Sequence, residues 1–532
     1  MRDTLRSKEL VILLLVAFVF IVSAIFITWG LTFRLDTDYE AHLPVYDFLV
    51  TSVRSGHGIP MRNPYIGTGI PVFGDPQLFI FNPLLFLPLL LFGVEAGMRI
   101  TLFLSMIASG ITMWFFLSSL GIWGYLRLWA AALYMFSGGF FAIVASGHVE
   151  HLFSYALLPL FYLFALRSTK SMKESIILGV ILGLFFLSGD MYRILYLTML
   201  FFVLQVWDGI QNRNVWRVSI YAITVYMVFF IVSVPKLLPF FLNVLPIFER
   251  YYPVRPFAGS IHLLFSPFPY IMPFQTGFYD RPFFRRLFGF EFNWHEYYAF
   301  ISPLPFLFLL KFRSIYKDTQ GKKLLLLIGV GFLYASLGYP YSPFYWLVKN
   351  VSFFQSFRAP QRMYVTLLPV VIAILSLGAR ALLQKESKDF IHKGVVVVCG
   401  LSIAWVYIVG LITFRRSFEE KRVAEETVAR HLRTVDKENY FVVTIACCMQ
   451  RALVSQKIPI LNYYYGWRPR NAPTFLDKKE QFSYDVFFSV RPRYIIAKDK
   501  EKDLSLYSYV PVYRYGNFVI WKTDAETIVP TL

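Results

Sequence analysis

The chain has 532 residues, of which 57% are hydrophobic, 19% aromatic and only 16% charged. Soluble domains run at roughly 45–50% apolar and about 25% charged, so a soluble cytosolic enzyme is excluded, as are disordered, collagen-like and disulfide-scaffold chains. Lys and Arg total 52 against 33 Asp and Glu, a formal charge of +19, which in a membrane protein reads as basic cytoplasmic loops rather than a nucleic-acid surface.

A span needs about 20 mostly apolar residues. Eleven such segments follow in chain order, near 9–31, 98–119, 123–146, 152–167, 175–189, 191–207, 218–238, 297–311, 323–339, 363–383 and 394–413. No small-residue cleavage site follows the first, so it is expected to stay as a span. Arg2, Arg6 and Lys8 precede it. Further basic residues sit between spans four and five (Arg167, Lys170, Lys173) and between six and seven (Arg213, Arg217). Others separate spans eight and nine (Lys311, Arg313, Lys317, Lys322, Lys323) and ten and eleven (Arg380, Lys385, Lys388, Lys393). With eleven spans and a cytoplasmic N-terminus, all of these fall on one side of the membrane. The turn after span two is the weak one, with only Arg127 nearby. Cys399, Cys447 and Cys448 are too few for a disulfide framework.

The remaining segments are expected outside: a large first loop at 32–97, then 147–151, 189–193, 239–296, 340–362 and the tail from Phe414. The tail opens with the charged stretch FEEKRVAEETVARHLRTV and continues with YFVVTIA, RYIIAK and PVYRYGNFVIWK, alternating segments that read as strands. The expected division is a membrane domain over 1–413 and a small extracytoplasmic α/β or α+β domain over 414–532. The expected fold is thus an α-helical polytopic membrane protein of about eleven transmembrane helices carrying that domain.

The unusual polar residues gather on the outer side. The span interiors carry few charges, which disfavours a transporter with midplane ionisable groups. After span one comes Arg34-Leu35-Asp36-Thr37-Asp38-Tyr39-Glu40-Ala41-His42. An extended backbone would face Asp36 and Asp38 the same way and a helix would part them. Such carboxylates are either solvated loop residues, a general base toward a hydroxyl, or ligands of a divalent ion. The loop continues as GIPMRNPYIGTGIPVFGDP over 58–76, too rich in turn residues for a span and too structured for a linker. A surface-lying or re-entrant platform is expected there.

Next is Gly147-His148-Val149-Glu150-His151. Its H-x-x-H spacing offers two metal ligands with Glu150 beside them, but no third strong ligand follows in sequence, and structural polar residues at a span mouth are the preferred reading. The turn Ser188-Gly189-Asp190-Met191-Tyr192-Arg193 places Asp190 and Arg193 outside, either as a local ion pair or at a substrate. The loop before span eight is net positive and ends in Phe292-Asn293-Trp294-His295-Glu296-Tyr297-Tyr298. Phe357-Arg358-Ala359-Pro360-Gln361-Arg362 stands at the mouth of span ten. Outer arginines run against the positive-inside trend; they suit phosphate, with lipid headgroup contact as the alternative. Lys236, at the outer end of span seven, adds a further cation.

The Asp after span one, the G-I-P-M-R-N-P-Y platform, the G-H-x-E-H mouth, the E-Y-Y before span eight and F-R-A-P-Q-R together resemble the bacterial YfhO-like membrane proteins of the GT-C superfamily of polytopic glycosyltransferases. The resemblance covers roughly residues 1–415. It implies a hexosyltransferase-class reaction at the outer face, moving a sugar with inversion from a polyprenyl-phosphate donor to a glycan, wall polymer or glycolipid. No cofactor and no metal are implied, and nucleic acid is not a partner. Carried over, Asp38 is the first choice for the base and Asp36 the second. Arg358 and Arg362, with Lys236 and Arg193, would meet the donor phosphate. Glu150, His148, Asp190, Glu296 and His42 would contact sugar or acceptor. The competing readings are a lipid or polymer flippase, which would also need a polar route across the membrane, and a non-catalytic envelope-assembly scaffold.

Overall fold

A computed structural model describes residues 2–34, 37–66, 69–75, 78, 80–168, 171–212, 214–244, 248–250, 298–335, 362–385, 389–420, 423–435, 442–444, 450–458, 467–469, 494–498, 509–515 and 518–523. Asp36, Glu296 and Arg358 lie outside the described residues.

Helix α1 (Arg2–Ile27) leads into the short strand β1 (Thr32–Phe33) and then α2 (Tyr39–Arg54). The Gly/Pro-rich platform folds as the hairpin β2 (Arg62–Asn63) and β3 (Ile70–Pro71), with the Asn63 side chain accepting from Tyr65 N–H to hold its turn. Helix α3 (Pro83–Phe92) starts at Asn82, which caps it by accepting from Leu84 N–H at 3.0 Å. Then come α4 (Val94–Ser119), α5 (Tyr125–Met135), α6 (Gly138–Ser146), α7 (Glu150–Ala165), α8 (Met172–Leu187), α9 (Met191–Asn212) and α10 (Val215–Pro239). After β4 (Phe248–Arg250) the described helices are α11 (Phe312–Lys317), α12 (Thr319–Ala335), α13 (Met363–Lys385) and α14 (Asp389–Arg416).

Among the described residues, seven helices are long and apolar enough to cross a membrane: 7–27, 94–119, 125–146, 191–211, 215–244, 363–384 and 389–416. Segments 152–167, 175–189 and 323–339, also expected as spans, fall on α7, α8 and α12, shorter helices of 16, 16 and 17 residues. The eighth expected span departs from an α-helix. Residues 298–303 carry no helix and Leu304–Lys311 is a 3-10 helix. Pro303 and Pro305 at its start cannot donate to an α-helical ladder, and Ser302 sits at a positive φ of 80°. Hydropathy registers the apolar side chains there but not the backbone form.

Helix α8 lies along α10, α4 against α5 and α7, and α12 against α13. The α8–α10 contact uses a small-residue pair one turn apart. A Cβ on Gly179 would stand 2.6 Å from the Val225 carbonyl, and one on Gly183 2.5 Å from Val232 Cγ1, so only glycine lets these backbones approach so closely. Arg127, expected as the lone basic residue of its loop, is buried. Glu9 of α1 draws it in: Nη2 stands 2.5 Å from Glu9 Oε2, with the guanidinium over the Trp114 ring.

The end of the chain returns to the segment that follows α1. Strand β5 (Phe418–Glu419) pairs antiparallel with β1. Helix α15 (Val423–Val435) follows, then β6 (Val442–Thr444), α16 (Gln450–Ser455), β7 (Trp467–Pro469, paired with β4), β8 (Tyr494–Lys498), β9 (Val510–Tyr515) and β10 (Phe518–Lys522). The segments that read as strands form a mixed sheet of order β6-β8-β10-β9, parallel between β6 and β8 and antiparallel elsewhere. Tyr494, Ile495, Ile496, Val519 and Ile520 are buried in it.

These C-terminal elements are tied to the membrane helices through Glu95, near the start of α4. Its carboxylate accepts from Phe33 N–H at 3.3 Å and pairs with Arg99 at 3.5 Å and with Arg451 of α16 at 3.1 Å. Arg451 also reaches Asp47 of α2 at 3.2 Å. Arg99 lies over the Phe418 ring at 4.3 Å, so the β1–β5 pair, α2 and α16 share one charged anchor.

Candidate active site

The site begins where α6 meets α2. Gly147 ends α6 in the left-handed conformation, φ +80°. A Cβ there would lie 2.5 Å from Tyr39 N, so glycine lets the two backbones touch. Asp38 N–H donates to the Ser146 carbonyl at 3.0 Å and the Tyr39 hydroxyl to the Val144 carbonyl at 2.9 Å. Asp38 holds the cap position of α2, yet its side chain makes no capping bond. The carboxylate turns instead to His148, with Oδ2 2.8 Å from Nε2.

Around this pair runs a chain of charged contacts. Glu150 Oε2 stands 3.3 Å from His42 Nε2, one turn along α2 from Asp38. His151 Nδ1 lies 2.9 Å from Asp190 Oδ2, and Arg362 Nη1 approaches His151 Nε2 at 3.1 Å. A guanidinium only donates, so Nε2 is the acceptor and the His151 ring proton is assigned to Nδ1, toward Asp190. The His148 and His151 rings stand perpendicular with centroids 5.5 Å apart.

Asp190 is fully buried in the turn between α8 and α9. Arg193 closes that turn: its N–H donates to Asp190 Oδ1 at 3.1 Å and its Nη1 reaches Asp190 Oδ2 at 2.5 Å, Ser154 Oγ at 2.6 Å and the His151 carbonyl at 2.8 Å. Ser154 also donates to Asp190. Arg362 is placed differently, with its guanidinium 4.4 Å over the Tyr192 ring. It borders a small recess of about 20 Å³ that His148, His151, Asp190, Tyr192 and Arg193 also line, with Ile143 and Val365.

The electrostatics follow from these partners. Burial disfavours the Glu150 carboxylate, but His151, His42 and His148 outweigh it and hold its pKa down at about 2. Burial likewise opposes ionisation of Asp190, and the Arg193 and His151 contacts carry it well below the usual carboxylate range. For His148 burial works against the cation, while the charge and hydrogen bond of Asp38, with Glu150 behind, raise its pKa above the ordinary imidazole value. His151 goes the other way. Burial lowers its pKa further than Asp190 and Glu150 restore it, and the Arg362 cation adds to the lowering, in accord with a neutral ring.

His148, Glu150 and His151 bring donor atoms within 4.8 Å of one another, the spacing of a shared ion's ligands. The Arg362 cation already faces His151 Nε2 and Asp190 its Nδ1, so that ring has no ready lone pair for a metal.

The structure therefore brings together Asp38, His42, His148, Glu150, Asp190, Arg193 and Arg362 from among the residues singled out by sequence. Lys236 serves elsewhere. It is buried in the last turn of α10, where Nζ donates to the carbonyls of Leu78 at 2.6 Å and Phe186 at 3.3 Å, fastening the platform to α8. His151, weighed in the sequence only as the second member of the H-x-x-H spacing, joins the site as the neighbour of Asp190 and Arg362. Ser154 and Tyr192 join it without having been chosen for a role, and the one-turn spacing from His151 to Ser154 is the signal that would have found the first.

No family model matches the chain, and no curated protein matches it. Among solved structures it is similar to the arabinofuranosyltransferase AftD from Mycobacteria, with TM-score 0.58 and 12% identity over 97% of this chain and 40% of that one. A mutant of AftD gives 0.57 and 11%, covering 97% and 42%. ArnT from Cupriavidus metallidurans in the apo state gives 0.49 and 12%, covering 97% and 98%. This chain thus spans about two fifths of the length of AftD and shares its fold, that of a polytopic helical membrane protein.

Proposed function

We propose that the protein is a membrane glycosyltransferase of the GT-C kind that moves a sugar from a polyprenyl-phosphate donor to a cell-surface glycan, polymer or lipid. AftD, whose fold it shares, is by name an arabinofuranosyltransferase. The observation that carries the reading is that His148, which lines the same recess as the Arg362 guanidinium, holds the Asp38 carboxylate at 2.8 Å.

In this reading the acceptor hydroxyl attacks the anomeric carbon from the face opposite the lipid phosphate. Asp38 accepts the hydroxyl proton as the new C–O bond forms. The bond to the phosphate oxygen breaks with its electron pair, and the configuration inverts. His148 orients Asp38, and Arg362 meets the charge gathering on the departing phosphate. Glu150, held ionised beside His42, accepts from sugar hydroxyls. Asp190 and Arg193 keep His151 and the recess wall in place. Asp36, Arg358 and Glu296 remain candidates for the second base, a phosphate contact and a sugar contact. The reaction needs no metal and no nucleotide. The N-terminus is cytoplasmic, and the site and the tail face outward.

The test is transfer from radiolabelled polyprenyl-phosphate hexoses by purified full-length protein, with membrane lipids and wall polymers as acceptors. Turnover that disappears with Asp38→Asn in folded protein supports the reading. Full activity in Asp38→Asn removes Asp38 as the base, and absence of turnover with every donor removes the glycosyltransferase reading.

A further inference from the structure

Arg362 stands directly before α13 and its backbone is tied to that helix, since its carbonyl accepts from Thr366 Oγ1 at 3.2 Å. The helix fixes the backbone but not the guanidinium, which ends a long stem of rotatable bonds. Other contacts must orient the head. The Tyr192 ring lies 4.4 Å from the guanidinium carbon, and His151 Nε2 meets Nη1 at 3.1 Å. A ring face restrains the height of the group above it but lets it turn in place. The hydrogen bond at Nη1 removes that turn. Because the N–H groups of a guanidinium are coplanar, fixing one sets the direction of the rest.

His151 is itself held. It is 4% exposed, in the first turn of α7, with Nδ1 2.9 Å from Asp190 Oδ2. Asp190 is fully buried, and its carboxylate also takes Arg193 and Ser154. An imidazole between a carboxylate and a guanidinium has one workable neutral tautomer. Nδ1–H donates to Asp190 and the Nε2 lone pair faces Arg362; the opposite tautomer would set an N–H against a group that only donates. Asp190 thus decides, through the ring, what Arg362 meets. The run joins the α8–α9 turn, α7 and the entry to α13, although Arg362 and His151 are 211 positions apart.

We propose that His151 is the positioning residue for Arg362: held by Asp190 in the Nδ1–H tautomer, it aims the guanidinium that receives the donor phosphate. The inference rests on the reading of Arg362 as the partner of that phosphate. A guanidinium aimed before the lipid arrives spares the binding step the cost of ordering it. Filling space beside Asp190 would be a different role, in which only the Nδ1 side of the ring matters.

Two variants separate the ring's two nitrogens. In His151→Asn the amide nitrogen stands where Nδ1 was and serves Asp190, but nothing from position 151 reaches Arg362. In His151→Gln the amide oxygen stands near the Nε2 position and accepts from Arg362, with Asp190 left to Arg193 and Ser154. Binding of a polyprenyl phosphate and of the matching uncharged polyprenol to the purified full chain is compared for each. The readout is the preference for phosphate over alcohol, which a packing role does not move. Wild type is expected to prefer the phosphate. His151→Asn is expected to cut that preference roughly tenfold and His151→Gln to cut it less. His151→Asn combined with Arg362→Gln is expected to lose no more than Arg362→Gln alone. As a readout with the ring intact, nitrogen NMR of histidine-labelled protein is expected to show a neutral Nδ1–H ring whose Nε2 signal moves in Arg362→Gln. Wild-type preference in His151→Asn, a larger loss in His151→Gln, or absence of that ring signal overturns the positioning role and leaves the phosphate reading standing. A wild type that binds phosphate and alcohol equally overturns the phosphate reading itself, and the positioning role with it.

Discussion

Oδ2 of Asp38 and Nε2 of His148 stand 2.8 Å apart although 110 residues of chain separate them. The contact depends on α2 starting directly on the end of α6. A carboxylate on a flexible loop would sample many orientations; here the backbone N–H of Asp38 is held by Ser146 and its carboxylate by an imidazole.

Asp38→Asn keeps the side-chain shape and the hydrogen bond to His148 but removes the proton acceptor. Turnover is expected to fall by about 10²–10⁴-fold, with a Tm lowered below pH 6.5 by loss of the ion pair with His148. His148→Gln is expected to lose less and to flatten the pH–rate profile above pH 6.5, the side to which Asp38 raises the His148 pKa. Steady-state rates from pH 5 to 9 separate the two.

Arg362→Gln is expected to lower kcat by about 10²-fold or more as the phosphate leaves uncompensated. Arg362→Lys rescues only part, since an ammonium lacks the planar fork and the stacking on Tyr192. Lys236→Met makes the useful contrast. Its ammonium is spent on two carbonyls, so the expected loss is in Tm, with kcat of the remaining folded protein little changed.

The site's ionisations give stability a pH optimum. Glu150, lowered from 4.5 to about 2, contributes stability that is fully present above pH 4.5 and lost as pH falls toward 2. His148, raised above 6.5, contributes stability fully present below 6.5 and lost as pH rises through its folded value. Thermal unfolding from pH 3 to 9 is expected to peak between these limits, and Glu150→Gln is expected to blunt the acid arm. Coincident acid arms in the two proteins would refute the assignment.

Gly147→Ala forces a Cβ into Tyr39 N at a left-handed φ. Adopting that conformation costs an L-residue about 1–2 kcal/mol before the clash is counted. Lower Tm and lower activity are expected together, because the same shift moves Asp38. Gly394→Ala, in α14 with open space at its Cβ, is the control and is expected to be neutral or slightly stabilising.

Much of the site was legible because its residues fall within short motifs on loops that the charge pattern places on one side. G-H-V-E-H, the Asp190–Arg193 turn and the arginine before α13 were all found this way. The outer cations then parted company: Arg362 borders the recess, while Lys236 is enclosed between the platform and α8, and one sequence shows only that both are cations near span ends. Arg127 was read as a loop charge for the same reason, since its partner Glu9 lies 118 positions away. Hydropathy located α4, α10, α13 and α14 well because each is a continuous apolar run. It missed the 3-10 form of 304–311, which proline placement decides.

The Arg451–Asp47 pair joins positions 404 apart, and that span has a meaning for biogenesis. During synthesis α2 emerges early, with Asp47 and Glu95 waiting beside each other. Their shared counter-ion is made only after all the described membrane-crossing helices have been synthesised. A ribosome that stalls before Arg451 has emerged therefore leaves two neighbouring carboxylates without the guanidinium that joins them.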